Sequence, residues 1–142
     1  MPKFSDVGGE VRSATAVSLL LNANNRLTVV HTADSILNSN INYILLYDVP
    51  PHNNVIGCVG VCVQGEITVL KHLSVAPQYR RQGYGMCLIT AAINSTKTKV
   101  IRAFVRSDNT ASLCLFEAAG FMAVGWKQIT PKYRLIAVEK QI

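Results

Sequence analysis

Leu73-Ser-Val-Ala-Pro-Gln-Tyr-Arg-Arg-Gln-Gly-Tyr-Gly-Met86 decides how this chain is read. The segment before Ala76 is rich in strand formers and alternates in polarity. Pro77 ends that strand, because proline has no N–H for a ladder. Two arginines and two glycines follow, and from Met86 an apolar run with helical spacing begins. Glycines at Gly83 and Gly85 let the backbone turn tightly and approach a ligand closely. Successive N–H groups in such a loop form a nest, and the helix N-terminus behind it adds positive potential. Strand, loop and helix in that order suit a pyrophosphate, and Arg80 and Arg81 add long-range attraction for an anion.

Upstream, Asn42–Val49 and Val55–Val63 read as strands, with Pro50–Asn54 as a loop between them. Gln64-Gly65 is a turn, and Glu66–Val75 is the next strand, so three strands form an antiparallel meander. Ala14–Asn22 has the apolar spacing of a short helix, although Arg12–Ala14 also suits a first edge strand. Thr32-Ala-Asp-Ser35 before Ile36-Leu37 resembles a capped short helix. Residues 1–10 read as loosely ordered, with Gly8-Gly9 as a breaker. Downstream lie a helix over Met86–Asn94, a strand over Val100–Val105 and a helix over Asn109–Ala119, with Gly120 at the helix C-terminus. Phe121–Ile129 and Tyr133–Glu139 close the chain as strands. The expected fold is α/β: one mixed, mostly antiparallel sheet of six or seven strands, flanked by about four helices.

With 142 residues the chain makes one domain, taken as 1–142. Apolar residues are 49% and charged residues 15%, which excludes a disordered chain. No apolar run reaches membrane-spanning length, and the N-terminus lacks the apolar stretch of a secretory signal. Cys58, Cys62, Cys87 and Cys114 include no C-x-x-C pair and stand apart from His31, His52 and His72. No metal site is expected, and the thiols suit a reducing cytoplasm. Residues 1–70 carry three basic and five acidic side chains; residues 71–142 carry eleven and three. A half with net charge +8 should face something anionic.

The quoted segment resembles the acetyl-coenzyme A signature of the GNAT superfamily of N-acetyltransferases, Gln/Arg-x-x-Gly-x-Gly/Ala after an apolar-x-Val-x-Pro strand end. Here it stands as Arg80-Arg-Gln-Gly-Tyr-Gly85 after Leu73-Ser-Val-Ala-Pro77. Arg106-Ser-Asp-Asn109 with Leu115-Phe-Glu-Ala-Ala-Gly-Phe121 is similar to the family's Asn…Leu-Tyr-Glu…Gly-Phe segment at the usual spacing. The resemblance is clear over residues 55–126 and extends over 41–142. It implies acetyl-CoA as cofactor, lying in a cleft where the fourth strand splays from the fifth. Main-chain groups at Leu73 and Val75 would pair with the pantetheine, with Ser74 between them. Arg80, Arg81, Gln82, Gly83, Tyr84, Gly85 and Met86 would surround the pyrophosphate. Asn109 and Phe116 would also contact the cofactor. Capping its own helix is an equally natural role for Asn109.

Two positions depart from that pattern. Phe116 stands where the family often has a tyrosine acid, and Phe104 stands five residues before Asn109, where many relatives have a glutamate base. The fourth strand offers Val69, Lys71 and His72 where others carry a carboxylate. His72 is then the local candidate for catalysis, since imidazole titrates near neutrality; packing as a strand histidine is the competing role. Cys114 could serve as an acid, or pack in the core. The implied activity is acetyl transfer to an amine of an unidentified acceptor: small molecule, peptide or protein. Two alternatives stand beside it, a non-catalytic acyl-CoA-binding module and an enzyme acting on nucleic acid. No membrane partner is expected, and a homodimer is compatible with the sequence.

Overall fold

The computed structural model describes residues 3–6, 11–24, 40–48 and 54–142. Seven strands form one sheet: β1 (Lys3–Asp6), β2 (Asn42–Tyr47), β3 (Val55–Gln64), β4 (Ile67–Val75), β5 (Val100–Arg106), β6 (Met122–Thr130) and β7 (Tyr133–Gln141). Their spatial order is β1-β2-β3-β4-β5-β7-β6. Every neighbouring pair is antiparallel except β4 and β5. Three α-helices are described, α1 (Val11–Asn24), α2 (Tyr84–Ser95) and α3 (Thr110–Ala118), with a 3-10 turn at Pro77–Tyr79. That is one fewer than the four or so expected. The short helix expected after Thr32 lies outside the described residues.

Each face of the sheet has its own core. Leu88, Ile89 and Ala92 of α2 and Phe116 of α3 pack on Ile44, Leu46, Leu70, Ile101, Ala103 and Val138. On the other face Val17, Leu20 and Leu21 of α1 cover Tyr43, Leu45 and Cys58. Apolar side chains buried on both faces of β2 explain the near-continuous Tyr43–Leu46 run.

Two N-terminal expectations are corrected. Lys3–Asp6, expected to be loosely ordered, form β1 in register with Ile44–Tyr47 of β2. Edge pairing to a buried strand supplies ladder partners that so short a segment does not signal by itself. The helix begins at Val11, so Arg12–Ala14 are helical rather than an edge strand.

Two irregularities shape the centre of the sheet. β4 pairs with β5 only from Ile67↔Val100 to Leu70↔Ala103. Beyond Leu70 the strands part, while β4 continues beside β3 to Gly57↔Val75. Between the pairs Cys58↔Ser74 and Gly60↔Lys71, one residue of β3 faces two of β4, His72 and Leu73. This bulge puts His72 at φ 56°, in the left-handed region that non-glycine residues rarely occupy.

Candidate active site

After the parting of β4 from β5, the main-chain edge of Lys71–Val75 has a strand beside it on one side only among the described residues. An open strand edge presents unpaired N–H and C=O groups, the form that an extended amide ligand can add to. Strand pairing ends at the bond from the Ala76 N–H to the Ile56 carbonyl, 2.7 Å, and Pro77 opens the 3-10 turn. Asp48 secures that turn. It accepts from the Asn54 N–H at 3.0 Å and from the Tyr79 hydroxyl at 3.4 Å, so the end of β2 fixes the loop that leaves β4. The Tyr79 and Tyr84 rings then meet at 6.4 Å across the loop.

Arg81 at φ 62° and Gly83 at φ 83° turn the backbone into α2. Gly83 is the N-cap residue and offers no side-chain acceptor. The first bond of the helix is Cys87 N–H to the Gly83 carbonyl, 3.1 Å. The N–H groups of Tyr84, Gly85 and Met86 therefore lack the intrahelical acceptors that later residues have. A Cβ on Gly83 would find no atom within 4 Å, so the space before the helix is open. Uncapped N–H groups, the positive end of the helix and open space fit a pyrophosphate. The adjacent open edge of β4 fits the amides of pantetheine.

The two motif glycines differ in purpose. A Cβ on Gly85 would lie 2.7 Å from Leu115 Cδ2, so this glycine lets α2 and α3 approach one another. Arg81 and Gln82 are exposed beside the loop. Arg80 instead turns back, its Nε donating to the Val75 carbonyl at 3.2 Å, an acceptor expected to pair with pantetheine. Leu73 and Val75 lean on the α2 side of the sheet. Ser74 is buried, and its Oγ has no hydrogen-bond partner among the described residues.

His72 is half-buried at the bulge. Its Nδ1 lies 2.6 Å from the hydroxyl of Tyr43, and its carbonyl accepts from Cys58 Sγ at 3.4 Å. Burial pushes the Cys58 thiol up to about 12, so it stays protonated as a donor at neutral pH. Burial also raises the Tyr43 phenol, and Cys58 adds to the shift.

Downstream positions are less simply arranged. The Asn109 side chain accepts from the Ser112 N–H at 3.3 Å, which makes it the N-cap of α3. Phe116 is 3% exposed and meets Phe121 edge to face at 5.0 Å, so its ring belongs to the core. Cys114 is exposed rather than packed in the core. Phe104 is 49% exposed, on β5 one residue past its last pairing with β4. Tyr43, Asp48 and Tyr79 support the site and escaped the sequence reading, since each acts across at least 29 residues of chain.

Residues 39–123 match the acetyltransferase (GNAT) domain family. Among solved structures, an acetyltransferase of the GNAT family from Streptococcus pneumoniae superposes with a TM-score of 0.80 at 17% identity, covering 100% of this chain and 99% of that one. The ribosomal-protein-S18-alanine N-acetyltransferase of Escherichia coli gives 0.81 at 18% identity, covering 100% and 94%. A Salmonella typhimurium protein solved with its cofactor acetyl-CoA gives 0.79 at 14% identity, covering 98% and 94%. Comparison with the curated proteins finds no match. With a matched segment that spans more than half of its length, the chain belongs to the GNAT family of acetyltransferases.

Proposed function

We propose that this domain moves the acetyl group of acetyl-CoA to an amine of an acceptor whose identity is open. The observation that carries this is the parting of β4 from β5 after Leu70↔Ala103, directly upstream of a helix whose first N–H groups are uncapped. Bound acetyl-CoA supplies a thioester carbonyl activated for attack by an amine. The main chain of Leu73–Val75 orients the pantetheine arm, and the loop from Arg80 to Met86 holds the pyrophosphate. Asn109 keeps α3 in place, and any part it has in cofactor contact comes in addition to its cap. Phe116 supports the cleft from the core. His72 is the candidate to take the proton of the attacking amine, directly or through water. Positioning an amine against a polarised carbonyl supplies much of the acceleration, so Phe104 and Phe116 do not bar transfer.

Those phenylalanines do favour a second reading, a module that binds acyl-CoA without transfer. A nucleic-acid acceptor ranks lower. Arg106 covers the Tyr133 ring at 3.8 Å and Arg134 covers the Trp126 ring at 4.2 Å, so both rings already stack on the protein's own cations. Among the described residues no helix is long and apolar enough to cross a membrane, and the four cysteines are free thiols. That supports a cytoplasmic setting. A homodimer is compatible with the same reading, and sedimentation would decide it.

The test combines calorimetry with acetyl-CoA and an assay of acetyl transfer across small amines, peptides with free N-termini and tRNA. Binding with transfer to at least one amine is expected. Binding without transfer to any of them would replace the enzyme by the module.

A further inference from the structure

Ile101, Ala103 and Val105 of β5 are buried in the core beneath α2 and α3. Alternation along the strand puts Arg102, Phe104 and Arg106 on the opposite face. Phe104 is 49% exposed there, one residue past the last pair of β5 with β4. On its other side it pairs with Ala137 of β7, and Ala137 pairs with Gly125 of β6. Directly paired residues share a face, so Phe104, Ala137 and Gly125 form one row across the sheet. Two small residues thus make a floor beside the ring. A Cβ on Gly125 would find no atom within 4 Å, so the space above the far end of that floor is open. Among the described helices, α1 is the one on this face, and it packs on β3 and β4. The rows on either side carry charge, and the protein answers it itself. Toward the start of β5, Arg102 donates to Glu139 at 2.6 Å. Toward its end, Arg106 pairs with Asp108 at 2.8 Å and covers the Tyr133 ring at 3.8 Å. The strip between them has an aromatic wall, a floor of small residues and no formal charge of its own.

We propose that this strip is the acceptor subsite, and that it takes a primary amine carrying a flat apolar ring, which lies over Ala137 and Gly125 against Phe104 while the amine reaches the cleft. This rests on the acetyltransferase reading. Continuity with the cleft argues for an acceptor: Phe104 stands where β4 and β5 part, beside the edge that the same reading gives to pantetheine. The charges argue for its chemistry. An ionic side chain on the acceptor would meet Arg102 and Glu139, or Arg106 and Asp108, already matched with each other. An aromatic ring has Phe104 to stack on and removes that ring's exposed surface from water. The position where many relatives hold a glutamate base then has a binding role in place of an acid–base one. A free arylalkylamine and a peptide whose first residue is aromatic present the same chemistry.

Two measurements on the full chain test this. The first is binding, read by nuclear magnetic resonance on protein labelled at its phenylalanine rings, in the presence of coenzyme A. Phe104 is assigned by the loss of its signals in Phe104→Leu. Phenethylamine should shift those signals, and ethylamine should not. A second arm sets a tripeptide beginning with Phe against one beginning with Ser. Unmoved Phe104 signals in both arms overturn the proposal, whether or not the protein transfers acetyl groups. Signals that change with protein concentration alone also overturn it, since they would put a second copy on this face. The second measurement is acetyl transfer, with thermal unfolding of each variant followed alongside. The kcat/KM for phenethylamine should exceed that for ethylamine by about 10- to 100-fold, the worth of burying one aromatic side chain. Phe104→Ala should bring that ratio down toward one, and Phe104→Tyr should keep most of it. Gly125 lies outside the left-handed region, so a leucine fits there without backbone strain. Gly125→Leu should fill the open end of the floor and lower the same ratio. A ratio near one in the wild type, or one that Phe104→Ala leaves intact, overturns the subsite. If acetyl-CoA binds and no amine in either arm is acetylated, the enzyme reading fails, while the shifts still decide for or against the strip as a site for an aromatic amine.

Discussion

Ile67–Leu70 and Lys71–Val75 belong to one strand, yet the first stretch has strands on both sides and the second on only one. Thr68, Val69 and Leu70 are buried, whereas Lys71, His72, Leu73 and Val75 are half-open. The change comes at a bulge, where one extra residue re-aims the strand just as its neighbour leaves. Buried packing and double pairing are concentrated in the first half, and the proposed function puts the ligand against the half that has given up a ladder. The two should therefore respond to different substitutions.

The largest effect on the open half is expected at Gly83. An aspartate there places a negative charge where the proposed function puts the pyrophosphate and forces a Cβ onto a backbone at φ 83°. Gly83→Asp should reduce coenzyme A affinity by a factor on the order of 100 or more in calorimetry, the scale of losing several charge-assisted hydrogen bonds. Gly65 in the β3–β4 turn has φ 63° and equally open space, so Gly65→Asp carries similar backbone strain far from the site. Equal affinity losses in the two variants would show that strain, not the phosphate, explains the result.

Leu70→Ala is the mirror experiment. Leu70 is 4% exposed and packs in the core beneath α2. Removing its branches should cost about 2–5 kcal/mol in denaturant unfolding, the usual range for such a truncation. Cofactor affinity at a temperature where the protein stays folded should change little. A large fall in affinity with little loss of stability would break the division between the two halves.

Local patterns made most of this fold legible. Strand formers, Pro77, the glycine loop and the periodic segments after it carry their signals within a few residues, so most element boundaries fall within a few positions of expectation. The turn from β4 into α2 was readable for the same reason, because its glycines and the proline lie in contiguous main chain. What escaped was non-local. β1 is four residues long and is defined by its partner rather than by its own pattern. Gly60 inside an apolar strand did carry a hint, since glycine there often marks a close approach. What approaches is the Ile41 side chain, whose Cγ2 would lie 2.5 Å from a Cβ there, with the Tyr43 ring beside it at 3.4 Å, and no sequence spacing names those contacts.

Phe116→Tyr tests whether the family's missing acid can be restored. Copying the family's tyrosine would suggest a gain in turnover. The ring, however, is 3% exposed and locked edge to face with Phe121. A new hydroxyl without a partner in such a place costs about 1–3 kcal/mol. Lower stability in thermal or denaturant unfolding with no rise in kcat is therefore expected. A clear rise in kcat would mean that α3 shifts when the cofactor binds and brings this ring to the cleft.

Arg81→Glu should have the smallest effect and the most specific signature. Arg81 is exposed at the start of the loop, at φ 62°. Glutamate keeps a Cβ, so the backbone strain is the same and the substitution isolates charge. An exposed charge acts on a phosphate through water, where single interactions are worth about 1 kcal/mol or less. Reversing it should weaken coenzyme A binding by about five- to tenfold at low ionic strength. The screening length falls from about 10 Å at 0.1 M salt to about 3 Å at 1 M. At high salt, then, the variant and the wild type should converge. Failure to converge would mean that Arg81 touches the phosphates directly, and that the open half of the site holds its ligand with side chains as well as with main-chain N–H groups.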